Sequence, residues 1–460
     1  MRPLLVIDVV GLSPELLGDD TPHLNELVKG GALRPLAAIT PAVTCSVQST
    51  LLTGKMPAEH GIVANGWYFR ELSEVMFWKQ SNQLVEAKKV WEVGRERDPG
   101  FTCANLFWWY NMYSSADWSV TPRPMYPADG RKLPDVYSHP PELRTELQAE
   151  LGQFPLFHFW GPAADIRSSR WIAQAALRVM AKHSPTLTLV YLPHLDYSLQ
   201  RLGPDLAHPR VRADLREVDG LVGELAAEAR KSGRRVVVLS EYGITAVKGS
   251  VALNRALRER GWIAIREELG RELLDVGASD AFAVVDHQLA HVYVRRPELI
   301  AEVRACLEKL DGVEQVLDRK QQESLGLHHR RAGELVAISR ADRWFSYAYW
   351  ESAERAPDFA TTVDIHRKPG YDPVELFLNP KLASPPFSIG WRLARKKLGF
   401  RGLMDVISAD GDHLIKGSHG RVTDDPRQGP LFISSEPSLA GSGTLAATDV
   451  AGLLLQHVFD

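Results

Sequence analysis

The sequence predicts a doubly wound α/β fold, with a mostly parallel central sheet flanked by helices. Two observations carry this prediction. Three short runs, Leu4–Ile7, Leu187–Leu192 and Val236–Leu239, are almost continuously apolar and rich in branched residues. Such runs suit strands buried on both faces. Helix-period segments, His23–Gly30, Val47–Leu52, Arg170–His183 and Leu215–Ser232, lie between them. Strands alternating with helices imply crossover connections and a parallel sheet, whose ligands collect at the carboxyl ends of the strands. Pro430–Ile433 reads as a last strand.

With 460 residues, 45% of them hydrophobic and 24% charged, the chain can bury a large core. No linker or repeat divides it, so one domain, 1–460, is expected. Two stretches break the alternation. Phe101–Pro140 is rich in aromatics and proline, and Ala341–Pro386 carries Trp344, Tyr347, Tyr349 and Trp350. With their flanks, 97–150 and 341–405, they read either as cap or lid insertions over the sheet edge or as hydrophobic additions packed on the core. A net charge of −3 argues against a general nucleic-acid surface. The basic run Arg392–Arg401 reads as a solvated helix face. Three scattered cysteines, Cys45, Cys103 and Cys306, do not make a disulfide framework. No signal peptide and no run of about 18 apolar residues is visible, so a cytoplasmic location and no membrane partner are expected.

Chemistry concentrates where strands end. Asp8 closes the first run, and Thr44 opens the small-residue segment Thr44–Gly54. Each has a plain reading, since Asp and Thr before helices commonly cap them. Asp196 and Glu241 follow the second and third runs, and His419 stands between glycines ahead of the last. In the expected fold all of them meet at one sheet edge. Clustered carboxylates repel unless cations sit between them, and oxygen ligands with an imidazole suit zinc, manganese or magnesium. A hydroxyl beside such a centre is a candidate nucleophile.

Four motifs, in order from residue 8 to residue 420, carry a resemblance to a known family. Asp8 precedes Gly11 and Thr21-Pro22-His23-Leu24-Asn25. Thr44 precedes Thr53-Gly54 and Pro57-Ala58-Glu59-His60-Gly61-Ile62. Asp196 precedes Gly203-Pro204. Ser240-Glu241-Tyr242-Gly243 is followed by Gly417-Ser418-His419-Gly420. The chain thus resembles the alkaline phosphatase superfamily, in its nucleotide pyrophosphatase/phosphodiesterase branch. The resemblance implies a metal-dependent hydrolase in which Thr44 attacks phosphorus and forms a covalent phospho-threonine. It implies two divalent cations, zinc or manganese with magnesium a further candidate. Asp8, Thr44, Glu241 and Tyr242 stand at the positions that hold one; Asp196, Gln200 and His419 stand at those that hold the other. Asn65 matches an asparagine that steadies a phosphoryl oxygen; its plain alternative is a turn with Gly66.

The sequence departs from this pattern beside the metals. Gln200 and Tyr242 stand where histidines are usual, Glu241 replaces Asp, and Cys45-Ser46-Val47 replaces Phe-Pro-Asn. A neutral amide oxygen is a weak ligand, and a phenol binds a cation only when its pKa of about 10 is lowered. Harder cations, a substitute ligand from Asp364 and His366, or loss of a metal are the possible responses. Asp286, His287 and His291 form a weaker reserve, with the alternation of 290–294 favouring a strand. Gln48 is a candidate polar contact. Lys368, Arg367 or Arg421 could steady a second phosphate, and the aromatic stretches could stack on a nucleoside.

The expected substrate is therefore a small phosphodiester or nucleotide-like molecule, with oligomeric state open. Two alternatives stand beside it: cleavage of a phosphonate C–P bond on the same scaffold, and a non-catalytic binding protein with a degraded metal site. A sulfatase is disfavoured by the lack of Pro and Arg after Cys45, and a mutase by the lack of a recognisable second domain.

Overall fold

The computed structural model describes residues 1–460. At its centre lies a nine-stranded sheet. Strand β1 (Leu4–Val9) is buried at every residue, and it pairs in parallel with β2 (Leu187–Leu192) on one side and β3 (Arg235–Leu239) on the other. Beyond β2 lie Cys103–Leu106, Trp118–Pro122 and Val136–His139. Beyond β3 lie Leu431–Ser434, Ala32–Ala37 and Leu445–Ala446. The five strands from 118–122 to β3 are parallel; Leu431–Ser434 and Val136–His139 run antiparallel to their inner neighbours. The amphipathic helices Ile166–His183 and Pro209–Lys231 bury one face each on this sheet. The predicted parallel core is thus present.

The register sets the site. Asp8 lies opposite Tyr191 of β2 and Leu239 of β3. The carboxyl ends of three neighbouring strands are therefore level, and Asp8, Asp196 and Glu241 leave the sheet on the same edge, where α/β sheets bind ligands.

Two features differ from the sequence reading. The 97–150 stretch is not an insertion. Three of its segments are strands of the main sheet, and the helix Pro141–Leu151 follows them. These strands are short and carry polar residues, Asn105, Ser119, Thr121 and Ser138, so they lack the plain apolar run that marks a central strand, which hides them from a periodicity reading. Phe107 and Trp108 belong to the main core. The second feature is a separate four-stranded antiparallel sheet of Ala281–Asp286, Leu289–Val294, Leu335–Ser339 and Val313–Leu317. It carries its own hydrophobic core, and Tyr347, Tyr349 and Trp350 are packed there, so these aromatics are structural. The remainder of 341–405 is mostly irregular, with short 3-10 turns and one long surface helix, Pro385–Lys397.

Candidate active site

Thr44 is the first residue of α1 (Thr44–Thr53). This helix is built from small and β-branched residues, which are indifferent helix formers. Packing holds it instead, because every residue from Thr44 to Leu52 is buried. Two of its hydroxyls bond back within the helix, Thr50 Oγ1 donating to the Ser46 carbonyl (3.0 Å) and Thr53 Oγ1 to that of Ser49 (2.6 Å), while Ser46 Oγ is buried without a partner. Gly54 ends it at φ +68°, a conformation that favours glycine. The first-turn N–H of Cys45, which no helical carbonyl can accept, donates to Asn65 Oδ1 (2.9 Å). Asn65 is held in turn by Asp286, which accepts from its backbone N–H (2.8 Å) and its Nδ2 (3.0 Å). Asn65 therefore stands beside Thr44 with its amide engaged in fixing the helix start.

Asp8, Glu241 and Gln48 meet on the other side of Thr44. Gln48 Oε1 accepts the backbone N–H of Trp109 (2.7 Å), which fixes the direction of the amide. Its NH2 consequently points at the two acids, 3.2 Å from Asp8 Oδ2 and 2.6 Å from Glu241 Oε1. The remaining oxygens, Asp8 Oδ1 and Glu241 Oε2, are buried without a donor. Both carboxyls titrate above the usual range. Burial is the main cause for each, and the neighbouring Glu241 charge adds to it at Asp8.

A second chain of hydrogen bonds runs from Thr44. Its Oγ1 is 2.9 Å from the Tyr242 hydroxyl, which donates to Asp196 Oδ1 (3.3 Å). Since Tyr242 spends its single hydrogen on Asp196, the Thr44 hydroxyl is the donor in the first link. Asp196 Oδ2 accepts from Gln200 Nε2 (2.7 Å), and Gln200 Oε1 accepts from the Tyr371 hydroxyl (3.0 Å). Here too an outside donor turns a glutamine NH2 toward a carboxylate. The Asp196 carboxyl is pushed up to about 8, by burial and then by the Glu241 charge.

His419 arrives on a loop that glycine lets approach closely, since a Cβ on Gly417 would lie 2.2 Å from the Leu199 carbonyl. Its Nδ1 bonds the Ala42 carbonyl (2.8 Å) and its Nε2 lies 3.8 Å from Asp196 Oδ1. Its ring stacks on Tyr242 at 3.6 Å and 8°, and burial holds its pKa down near 3. His287, at the tip of the hairpin joining the first two strands of the small sheet, lies between His419 (3.6 Å) and Tyr371 (3.7 Å). That tip has a positive φ of 60° at His287, as tight hairpin turns require at their first position. The Gln288 N–H donates to the His419 carbonyl (2.8 Å).

Thr44, Asp8, Asp196, Glu241, His419, Gln48, Gln200 and Tyr242 therefore converge, with Asn65 behind them. Four other candidates do not bond to this group. Lys368 is buried in ion pairs with Asp372 and Glu375, both 2.7 Å away. The Asp364 N–H donates to Glu375, His366 lies against the Phe77 carbonyl, and Arg421 pairs with Glu314 and Asp424. The charges of Lys368 and Arg421 are thus already matched by carboxylates. His291 is a strand residue held by the Val63 carbonyl and the Gly333 N–H. A cavity of about 610 Å³ near Thr40, Met56 and Arg421 does not include Thr44 or the carboxylates. Tyr371 is the site neighbour that a reading of strand ends misses, and His287, named above only in a weaker reserve, stacks on it.

The donor set fits the two cation positions unequally. At the first, Asp8 Oδ1 and Glu241 Oε2 are orphaned and anionic when deprotonated, and Glu241 lies within hydrogen-bond reach of Thr44, which suits one hard divalent cation. At the second, both oxygens of Asp196 already accept hydrogens, from Tyr242 and Gln200. That set directs donors inward and does not fit a cation as it stands. One group of three metal-capable side chains has ligand atoms all within 4.8 Å of one another: His194, Asp214 and Glu217. Arg210, 2.9 Å from Asp214, already supplies a cation there.

A family profile described as type I phosphodiesterase / nucleotide pyrophosphatase matches residues 4–372. No curated protein matches. Among solved structures, the chain is similar to murine ectonucleotide pyrophosphatase/phosphodiesterase 5, an inactive variant in complex with AMP. The TM-score is 0.60 at 14% identity, covering 100% of this chain and 95% of that one. It is similar to the human form at a TM-score of 0.60 and 14% identity, covering 99% and 95%. Phosphonoacetate hydrolase from Sinorhizobium meliloti with phosphonoacetate gives a TM-score of 0.63 at 16% identity, covering 99% and 96%. At such identities the likeness is one of fold.

Proposed function

Because the chain belongs to the type I phosphodiesterase/nucleotide pyrophosphatase family, we propose that it hydrolyses a small phosphoric ester through attack of Thr44 on phosphorus. The observation that carries this reading is the directed pair of hydrogen bonds from Thr44 through Tyr242 to Asp196. As the Thr44 oxygen bonds to phosphorus, its proton passes to Tyr242 while the Tyr242 proton passes to Asp196. The alcohol or phosphate of the substrate leaves, and water later hydrolyses the phospho-threonine. A hard cation held by Asp8 and Glu241 beside Thr44 would supply positive charge for the phosphoryl oxygens. Gln48 keeps the two acids together, and Asn65 fixes the helix end that presents the nucleophile. A phosphodiester or nucleotide-like substrate agrees with the ring of Trp78, which lies 4.8 Å from that of Trp109 and 6.0 Å from that of Tyr371, the residues that bond Gln48 and Gln200.

The test is turnover of bis(p-nitrophenyl) phosphate by the wild type, Thr44→Ala and Thr44→Ser. Thr44→Ala should lose activity by roughly ten-thousandfold while remaining folded, and Thr44→Ser should retain part of it. Equal turnover by Thr44→Ala sinks the covalent route. Cleavage of phosphonoacetate in place of the diester would instead favour a phosphonate hydrolase.

A second reading, a binding protein without turnover, is favoured by the two glutamine amides aimed at carboxylates. It predicts affinity for a phosphate ester that Thr44→Ala leaves unchanged, and no hydrolysis by the wild type.

A further inference from the structure

The helix α2 (Pro385–Lys397) and the residues after it carry an unexplained surface. None of its residues is buried. Residues 385–404 supply six of the sixteen exposed large apolar side chains of the whole molecule, among them Phe387 (73% exposed), Trp391 (59%), Leu398 (75%) and Phe400 (60%). The arrangement is regular. Phe387, Trp391, Ala394 and Leu398 are spaced four, three and four residues apart, so they share one face of the helix. Ile389, on the opposite face, packs against the small cluster around Trp344 and Ile407, and Arg392 pairs with Asp405 at 2.7 Å. The helix is thus tethered to the body by its back, with its apolar stripe turned outward.

The same twenty residues contain five Lys or Arg and no Asp or Glu, in a chain whose net charge is −3. Apart from Arg392, none of these cations pairs with a carboxylate. At 100° per residue, Arg395 and Lys397 flank the apolar stripe on either side. We infer that this helix is an interfacial anchor that lies on an anionic phospholipid surface. Its aromatic and leucine side chains would enter the boundary of the bilayer, while the flanking cations meet the headgroups. A second copy is a poorer occupant, because a two-fold contact would set five like charges against five. Leucines facing outward suit acyl chains better than the stacked bases of a nucleic acid. No helix of the structure is long and apolar enough to cross a membrane, so the contact is peripheral. The inference revises the expectation of no membrane partner and of a merely solvated basic face. It does not rest on the catalytic reading.

The test is sedimentation of the full chain with vesicles of phosphatidylcholine alone and of phosphatidylcholine with phosphatidylserine. Binding is expected to the anionic vesicles only and to fall as salt is raised. Charge reversal at Arg395 or Lys397 should weaken it about fivefold or more each. Trp391→Glu with Phe387→Glu should abolish it while thermal stability and diester turnover stay at wild-type level, since these side chains touch no part of the site. Equal binding to neutral vesicles, no binding by a monomeric wild type, a dimer that Trp391→Glu dissolves, or binding to an oligonucleotide in preference to vesicles would each overturn the inference.

Discussion

Tyr242 and Gln48 are the residues on which the chemistry of this site turns, and Tyr242 is a departure from the family pattern. A histidine at 242 would present a lone pair, whereas the tyrosine there presents a hydroxyl that accepts from Thr44 and donates to Asp196. Tyr242→Phe removes that hydroxyl and little else. It should lower kcat of diester cleavage by about a hundredfold or more, with KM nearly unchanged, as expected for loss of a proton-transfer group. Gln48→Leu is a test of stability. It leaves the Trp109 N–H, Asp8 Oδ2 and Glu241 Oε1 without their partner in a fully buried place. Urea unfolding should report a loss of roughly 3 kcal/mol; a loss under about 1 kcal/mol would mean that the amide does not hold the acids together. Asp8, Asp196, Glu241 and Thr44 are legible in the sequence because each follows or opens an element with a clear apolar period. The directions of the Gln48 and Gln200 amides are not, since Trp109 and the Tyr371 hydroxyl set them from elsewhere in the chain.

Elements position these residues through connections of quite different visibility. The level ends of β1, β2 and β3 follow from three apolar runs that any periodicity reading finds. The hairpin tip at Asp286–Gln288 is equally a part of the site, yet it belongs to a second sheet whose strands, although largely apolar and buried, end in no motif of the family. The strands at 103–106 and 118–122 are hidden because they are short and interrupted by polar residues, Asn105, Ser119 and Thr121. The turn behind helix α1 makes a testable statement about pH. His60 Nδ1 accepts the Ile62 N–H (3.1 Å), so Nε2 carries the hydrogen and donates to Thr50 Oγ1 (3.0 Å). Burial, together with this neutral arrangement, holds its pKa near 3. The unfolded chain takes up the proton near pH 6.5. The folded pKa is the lower one, so the unfolded state binds more protons between these values and stability falls as pH drops from about 6.5 toward 3, by at most about 1.4 kcal/mol per pH unit. Asp286, pushed up to about 7 by burial, works in the opposite direction, so the slope of the wild type alone does not isolate His60. The difference in Tm between wild type and His60→Gln should narrow between pH 7 and pH 5. A constant difference would show that His60 does not contribute to the slope.

At the scale of the molecule, the carboxyl edge of the main sheet and the helix α1 supply the carboxylates and Thr44, while the small sheet and the 341–405 region supply His287 and Tyr371 beside them. Thr44 and Asp196 are only 4% and 5% exposed, and Asp8 and Glu241 are fully buried. A substrate therefore reaches Thr44 only if part of the surrounding structure gives way. The superfamily fold is legible in the ordered motifs because they are spread over nearly the whole chain. The second sheet and the outward face of the 385–397 helix are not, because neither carries a residue of those motifs. The central claim is that Thr44 becomes covalently attached to phosphorus. Acid quenching during turnover of bis(p-nitrophenyl) phosphate, followed by mass spectrometry of the intact and digested protein, tests it most directly. The account predicts a nitrophenyl-phosphoryl adduct on the peptide that contains Thr44, absent from Thr44→Ala. Turnover with no adduct on that peptide, undiminished in Thr44→Ala, would contradict it.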